Sequence, residues 1–282
     1  MAAGTSLAGE PTAPADYPDW RFAPNIGGHP ESYELENQAV DRADHVLAAM
    51  RAIAPWDGRV VVDLGCGTGF WLARYAVSAA RVIGIEPDPA LRAAALRTAA
   101  ELGAAGELGA TEMSVGSAEM PTGSADVSAG SADVSAGSAE VLAGSAEHLP
   151  LPDHSVDIVH ARFAYFFPPG TDAGLAEVFR VLRPGAHLVV VDNDYRWGEF
   201  ATLLAASAVR PPLQTAATVD AWWRDRGATR HEIRSELRFA SRAELAAVLR
   251  IEFPADVADG WLRRHPAATG LSYGYVLFAV RG

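Results

Sequence analysis

The chain has 282 residues, 49% of them apolar, and a formal net charge of −12. That length holds one large domain or two small ones, and the acidic balance repels a nucleic-acid phosphate backbone on average. The single cysteine, Cys66, excludes an internal disulfide framework and a cysteine-based zinc site; no window reads as a membrane span, so no membrane partner is expected and the cytoplasm is the expected location.

Residues 1–16 are small residues with Pro and Gly, lacking a basic start or apolar block, and read as a disordered tail. The next stretch is irregular yet carries Tyr17, Trp20 and Phe22, which suits an ordered arm packed on the domain. Leu35, Val40, Val46, Leu47 and Met50 recur at helical spacing over 33–53, and Pro55 closes that helix. Arm and lid helix together occupy 17–54, and the main domain is expected over 55–282.

Within that domain, strands are predicted at 59–64, 81–85, 111–115, 156–160 and 187–191. Helices are predicted at 70–77, over 91–102 with Pro89 in the first turn, and at 175–182, where Pro184-Gly185 stops the last. Such alternation implies a parallel sheet with helices on both faces. The last third reads as helices at 200–209, 213–226, 243–253 and 257–264 and strands at 229–239 and 271–280. The two late strands make an antiparallel edge, and the helical elements within 197–265 form a cap. The fold class is α/β.

From Gly116 the chain reads GSAEMPT, GSADVSA, GSADVSA, GSAEVLA, GSAEHLP, five units of seven. Gly and Ser in every unit and the lack of an apolar seam exclude a coiled coil, and seven residues are too few for a solenoid unit. Residues 116–147 are expected to form a mobile acidic loop inserted in the domain; alternatively one copy is functional and four are duplicated passengers.

The stretch Val61-Val62-Asp63-Leu64-Gly65-Cys66-Gly67-Thr68-Gly69-Phe70 reads as a buried strand, a tight glycine turn and a helix whose N-terminal amides face a ligand. A dinucleotide fingerprint needs a third glycine, but Phe70 or Leu72 stands there in the two registers, and no Walker lysine follows. Glu86 ends the second strand, where a carboxylate accepts hydrogen bonds from both hydroxyls of a ribose. Together these point to a nucleoside ligand without a pyrophosphate.

The D-L-G-C-G-T-G motif, Glu86, the G-S-A-E-x-L-P segment and the V-D-I-V strand resemble a class I S-adenosylmethionine-dependent methyltransferase of the small-molecule "type 11" kind. The resemblance implies a Rossmann-like sheet with S-adenosylmethionine as cofactor. It implies that Asp63, Gly65, Cys66, Gly67, Thr68 and Gly69 surround the methionine part and that Glu86 and Pro87 hold the ribose. It places the adenine against the segment after the third strand and the His160–Arg162 turn under the cofactor. Where the family has Gly-Asp-Ala-Glu, all five copies here carry Ser: Ser117, Ser124, Ser131, Ser138 and Ser145. The last copy, with Ser145, Ala146 and Glu147, matches best, because its His-Leu-Pro continuation leads into the fourth strand.

A general base is needed only if the acceptor arrives protonated. His160 and Asp192, at the ends of the fourth and fifth strands, are the candidates; His160 is also read as a packing or cofactor-contact residue. Asp192 and Asp194 flank Asn193, too few ligands for an octahedral metal, and no metal is expected. Tyr165, Phe166 and Phe167 suit an acceptor-pocket wall or core, Trp222 and Trp223 packing, and Arg224, Arg226 and Arg230 a solvated face. Relatives that methylate nucleobase or amide nitrogens usually carry Asn/Asp-Pro-Pro-aromatic after the fourth strand, and this chain does not. The expected function is methyl transfer to a small organic acceptor at oxygen or nitrogen. The rivals are a non-catalytic cofactor-binding regulator of the same fold and a nicotinamide-dependent oxidoreductase. The oligomeric state is not legible.

Overall fold

The computed structural model describes residues 16–19, 29–114, 138–207 and 215–282. The tail, Trp20, Phe22 and the repeat copies carrying Ser117, Ser124 and Ser131 lie outside them. Runs of Val and Ile make the central strands, because β-branched side chains suit a pleat covered on both faces. β1 is Val60–Leu64, β2 Arg81–Ile85, β3 Ala139–Leu142, β4 Val156–Arg162, β5 Leu182–Asn193, β6 Thr229–Arg238 and β7 Gly270–Arg281. They form one seven-stranded sheet in the order β3-β2-β1-β4-β5-β7-β6. The first five strands pair in parallel, while β7 runs antiparallel to both β5 and β6. The antiparallel edge is therefore β7 wedged between β5 and β6, more than a simple hairpin.

Nine helices occur among the described residues: α1 Pro30–Ala39, α2 His45–Ile53, α3 Leu72–Ala76, α4 Pro89–Ser114, α5 Asp172–Val181, α6 Gly198–Ser207, α7 Ala216–Arg224, α8 Arg242–Glu252 and α9 Ala255–Arg264. Side chains alternate across each strand, so the sheet has two cores. Val61, Ile158 and Val189 face Met50 of α2, Leu72 of α3, Leu203 of α6, Leu249 of α8 and Trp261 of α9. Val62, Val159 and Val190 face Val178 of α5 and Trp223 of α7. Trp223 stacks on Phe278 with ring centroids 5.3 Å apart, a packing role for the late tryptophan pair.

Three elements depart from the sequence reading. The helix predicted over 33–53 is two helices, broken between Val40 and Asp44. Asp41 and Asp44 sit at φ 49° and 56°, and the Asp41 carboxylate accepts the N–H groups of His45 (3.0 Å) and Val46 (2.7 Å) that open α2. The strand predicted at 111–115 is wrong: α4 continues to Ser114, carried by Ala, Leu and Glu, which favour helix. The third strand instead lies at Ala139–Leu142, inside the fourth repeat unit and within the stretch expected to be a loop. That unit alone reads Ala-Glu-Val-Leu where the others place Ser, Pro or His among these four residues. Its Val141 is buried, and Leu142 pairs with Ile85. Finally, β5 starts immediately after α5 and passes through Pro184-Gly185, so that dipeptide lies inside a strand three residues beyond the helix end.

Asp41 ties the break to the sheet, since the Ser235 hydroxyl of β6 donates to its Oδ1 at 2.8 Å. Asp41→Ala should lower the free energy of unfolding by about 1–2 kcal/mol, the scale of a lost helix cap; urea unfolding of the purified variant measures it.

Candidate active site

Between β1 and α3 the chain reverses through the glycine turn. Gly65 and Cys66 both donate their N–H to the Ile85 carbonyl, at 2.9 and 3.1 Å, and Gly67 donates to Glu86 Oε2 at 2.9 Å. The turn is thereby fastened to the end of β2. A Cβ on Gly65 (φ +69°) would lie 2.5 Å from the Ala164 Cβ, and one on Gly69 (φ +81°) would lie 3.1 Å from the Ala95 backbone. Only glycine fits either place. The Cys66 thiol is buried beneath the turn, and burial pushes its pKa up, so it packs and does not react. The Thr68 carbonyl accepts from the Thr98 hydroxyl at 3.0 Å, tying the turn to α4.

Glu86 is 5% exposed. Its other oxygen accepts from the Asp88 N–H at 2.9 Å, and Arg92 donates to the carbonyls of Glu86 and Pro87. Burial outweighs these hydrogen bonds and pushes the Glu86 pKa up to about 7. A carboxylate offers roughly four acceptor positions, so two remain for hydroxyl donors.

Asp63, at the end of β1, is fully buried. Its Oδ2 accepts from Arg162 at 3.3 Å, and its Oδ1 has no partner among the described residues. Burial raises the Asp63 pKa while Arg162 opposes the shift. The Arg162 guanidinium lies 4.1 Å from the Trp71 ring centroid. Above the turn, the Tyr33 hydroxyl of α1 comes within 3.5 Å of the space a Gly67 Cβ would fill. Burial pushes Tyr33 up to about 12, against the pull of Arg162. Sequence reading missed Tyr33 and Trp71; Tyr33 stood only as the start of a lid helix.

Of the repeat serines, Ser138 precedes β3 and Ser145 follows it. Ser145 is 2% exposed, and its hydroxyl has no partner among the described residues. Ser145 and His148 exchange backbone hydrogen bonds at 3.2 Å, which closes the loop of the fifth copy. Ala146 is buried there. Glu147 accepts from the Tyr165 hydroxyl at 2.7 Å, and that hydroxyl accepts from the Gly174 N–H at 3.1 Å. The Glu147 N–H points to Asp19 at 3.4 Å, so this part of the arm packs on the segment.

The two candidate bases do not join this group. The His160 ring is fully buried, 5.1 Å from the Tyr75 ring and 5.7 Å from the Trp56 ring. Burial, helped by Arg162, pushes its pKa down to about 3. The structure places it in the core as a neutral packing residue, and a ring without access to solvent takes no proton from an acceptor. Asp192 is also buried, on the opposite face of the sheet from Asp63 and Arg162, and accepts from the Asn193 N–H at 2.7 Å. It lines a small cavity with Asp194, Asp220 and Arg230. Arg230 pairs with Asp220 and Glu232 and so is not a freely solvated charge. Phe166 belongs to the core, whereas Phe163 and Phe167 are more than a third exposed. Among the described residues no group of three or more His, Cys, Asp or Glu could hold a metal, and no helix is long and apolar enough to cross a membrane.

Residues 62–190 match a family model described as a methyltransferase domain. Over that stretch the chain is similar to methyltransferase domains. Two solved structures share its fold. The YcgJ protein of Bacillus subtilis is 16% identical with a TM-score of 0.51, covering 84% of this chain and 97% of that one. A SAM-dependent methyltransferase of Thermotoga maritima is 16% identical with a TM-score of 0.50, covering 91% and 96%. Comparison with curated proteins finds no match. The chemistry of the site fits S-adenosylmethionine, the cofactor that the sequence resemblance implies. Buried polar atoms of Asp63 and Ser145 lack partners among the described residues at the two ends of the site, with a glycine cradle and the Glu86 carboxylate between them.

The Glu86 shift has a measurable consequence. Its folded pKa of about 7 lies above the ordinary 4.5, so the folded chain keeps a proton that the unfolded chain releases. Stability from this group is therefore lost as pH rises from about 4.5 through about 7. Urea unfolding across that range should show the decline in the cofactor-free protein and a shallower one in Glu86→Gln.

Proposed function

We propose that the methyltransferase domain transfers the methyl group of S-adenosylmethionine to a small organic acceptor, at oxygen or nitrogen. The observation that carries this reading is a row of unlike polar groups at the carboxyl ends of four neighbouring strands. Asp63 with Arg162 ends β1 and β4, Glu86 ends β2, and Ser145 follows β3. Ligands of open α/β sheets lie across such strand ends. A zwitterionic amino-acid tail suits the Asp63–Arg162 end, a ribose diol suits Glu86, and an adenine amino group suits the Ser145 hydroxyl. Backbone amides of Gly65, Cys66, Gly67, Thr68 and Gly69 line the middle, with Pro87, Ala146 and Glu147 at the nucleoside end.

Bound there, the cofactor supplies an electrophilic methyl group on a sulfonium. The chain's own residues have to bind it, exclude water and hold a nucleophile in line. The carboxylates of Asp63 and Glu86 favour a cation, and the Trp71 ring and α1 shield it from solvent. In this reading the acceptor approaches past the exposed Phe163, just after the end of β4.

Calorimetric titration with S-adenosylmethionine and, separately, NAD tests the reading. The first should bind and the second should not; the reverse result overturns it. Glu86→Ala should weaken S-adenosylmethionine binding by about 1–3 kcal/mol, the scale of charge-assisted hydrogen bonds, and Ser145→Ala by less.

A further inference from the structure

On the face of the sheet covered by α2, the strands β5, β7 and β6 leave a cavity of about 550 Å³ beside the C-terminal half of that helix. It lies away from the cofactor site. His187, which lines it, pairs with Ile158 near the start of β4, whereas Arg162 and the glycine turn stand at the other ends of β4 and β1. A volume of this size takes a small organic molecule. One wall is apolar, with Ala49 and Ile53 of α2 facing Ile233 of β6 and Ala279 of β7. Val46 and Met50 of α2 are buried in the core. One turn beyond Val46 stands only Ala49, and its short side chain leaves the space open.

The other wall is polar and carries no acid. Arg281 and His187 stand opposite each other in the antiparallel β5–β7 pairing, so their side chains leave the same face of the sheet. The Arg281 Nε donates to the Gly185 carbonyl at 3.1 Å, which holds the guanidinium at the rim, and no carboxylate pairs with it among the described residues. His231 completes this wall, its Nε2 3.1 Å from the Thr229 hydroxyl. Glu232 points to the opposite face, where it pairs with Arg230. Among the described residues neither Asp nor Glu lines the cavity, in a chain with 35 acidic residues against 23 basic ones. Burial, helped by the charges of Arg281 and Arg59, pushes the His187 pKa down, as a local excess of positive charge does.

An open apolar wall beside an uncompensated guanidinium suits an amphipathic anion. The apolar body displaces water from α2 and the strands, and a carboxylate matches the planar guanidinium fork. A cationic amphiphile would meet Arg281 and Arg59, and a neutral alcohol would leave the guanidinium uncompensated. We infer that this cavity is a second binding site, for a small monocarboxylate with an apolar body, the carboxylate received by Arg281 and His187 and the body lying against Ala49, Ile53 and Ile233. The cavity shares no residue with the glycine turn, Asp63, Glu86 or Ser145, so the site stands whether or not the chain transfers methyl groups.

The test uses the full chain with octanoate, octanol and octylamine as probes, read by calorimetry. Octanoate should bind, and more tightly than the other two. Arg281→Gln, at an exposed strand end, should weaken octanoate binding about 3–10-fold. Ala49→Leu, which fills the cavity with a good helix former, should abolish it. Both variants should keep the affinity for S-adenosylmethionine, and circular dichroism verifies their folds; Arg281→Gln carries the test if Ala49→Leu does not fold. Bound octanoate should also raise the pH at which the His187 ring titrates, because an adjacent anion favours the imidazolium. That is read from its Cε1 proton resonance, assigned by its loss in His187→Gln. The inference is overturned by equal affinity for the three probes, by octanoate binding that survives unchanged in the folded variants, or by a His187 titration that octanoate does not move. Light scattering tests the rival occupant, a second copy of this chain. Self-association that Ala49→Leu breaks and octanoate leaves in place would overturn the carboxylate site as well.

Discussion

The clamp between the glycine turn and the end of β2 is the constraint on which the site depends. Three backbone N–H groups of the turn are satisfied by one carbonyl and one carboxylate of Ile85 and Glu86. They leave the turn no freedom relative to β2 and pin the start of α3. Gly65 then allows the β4 loop to lie against the turn at Ala164, which sets where Phe163 and Tyr165 stand. A side chain at Gly65 would move the turn and the loop after β4 together.

Beside that clamp, the Asp63–Arg162 pair is an electrostatic device inside the sheet. A buried pair gains little stability by itself, because desolvation takes back most of the attraction. Its effect is to fix charge in place: Arg162 remains cationic because Asp63, Tyr75 and Tyr33 outweigh the effect of its burial. The same guanidinium helps keep His160 neutral. One basic side chain thus orders the polarity of the whole β1–β4 end.

Much of this was legible in the sequence where signals are local. Val61 and Val62 announced a buried strand, the alternating glycines a tight turn, and Glu86 an acid at a strand end. Local signals failed where long-range packing decides. β3 has four residues and a single buried side chain, Val141, too little for any periodicity to stand out, and the preceding helix formers carried α4 through the place where a strand was expected. The break at Asp41 depends on Ser235, far away in the chain. His160 and Asp192 both end strands, and spacing within one strand does not reveal which end-residue looks into a cleft and which is covered by helices; that is set by Trp56, Tyr75 and the pairing with β7. Tyr33 gains meaning only when α1 lies beside the glycine turn.

The heptapeptide tract divides its labour between neighbouring units. The fourth unit supplies β3 and the fifth supplies the loop with Ser145. Whole units gained or lost ahead of Ser138 by replication slippage would change only the length of the α4–β3 connection, always by seven residues, and loop-closure entropy grows slowly with length, about 0.6 kcal/mol per doubling. The register of β3 against β2 would survive each such event, because Leu142 marks the one unit apolar enough to pair with Ile85. The lineage can therefore vary this tract in length while the strand and the Ser145 loop stay the same.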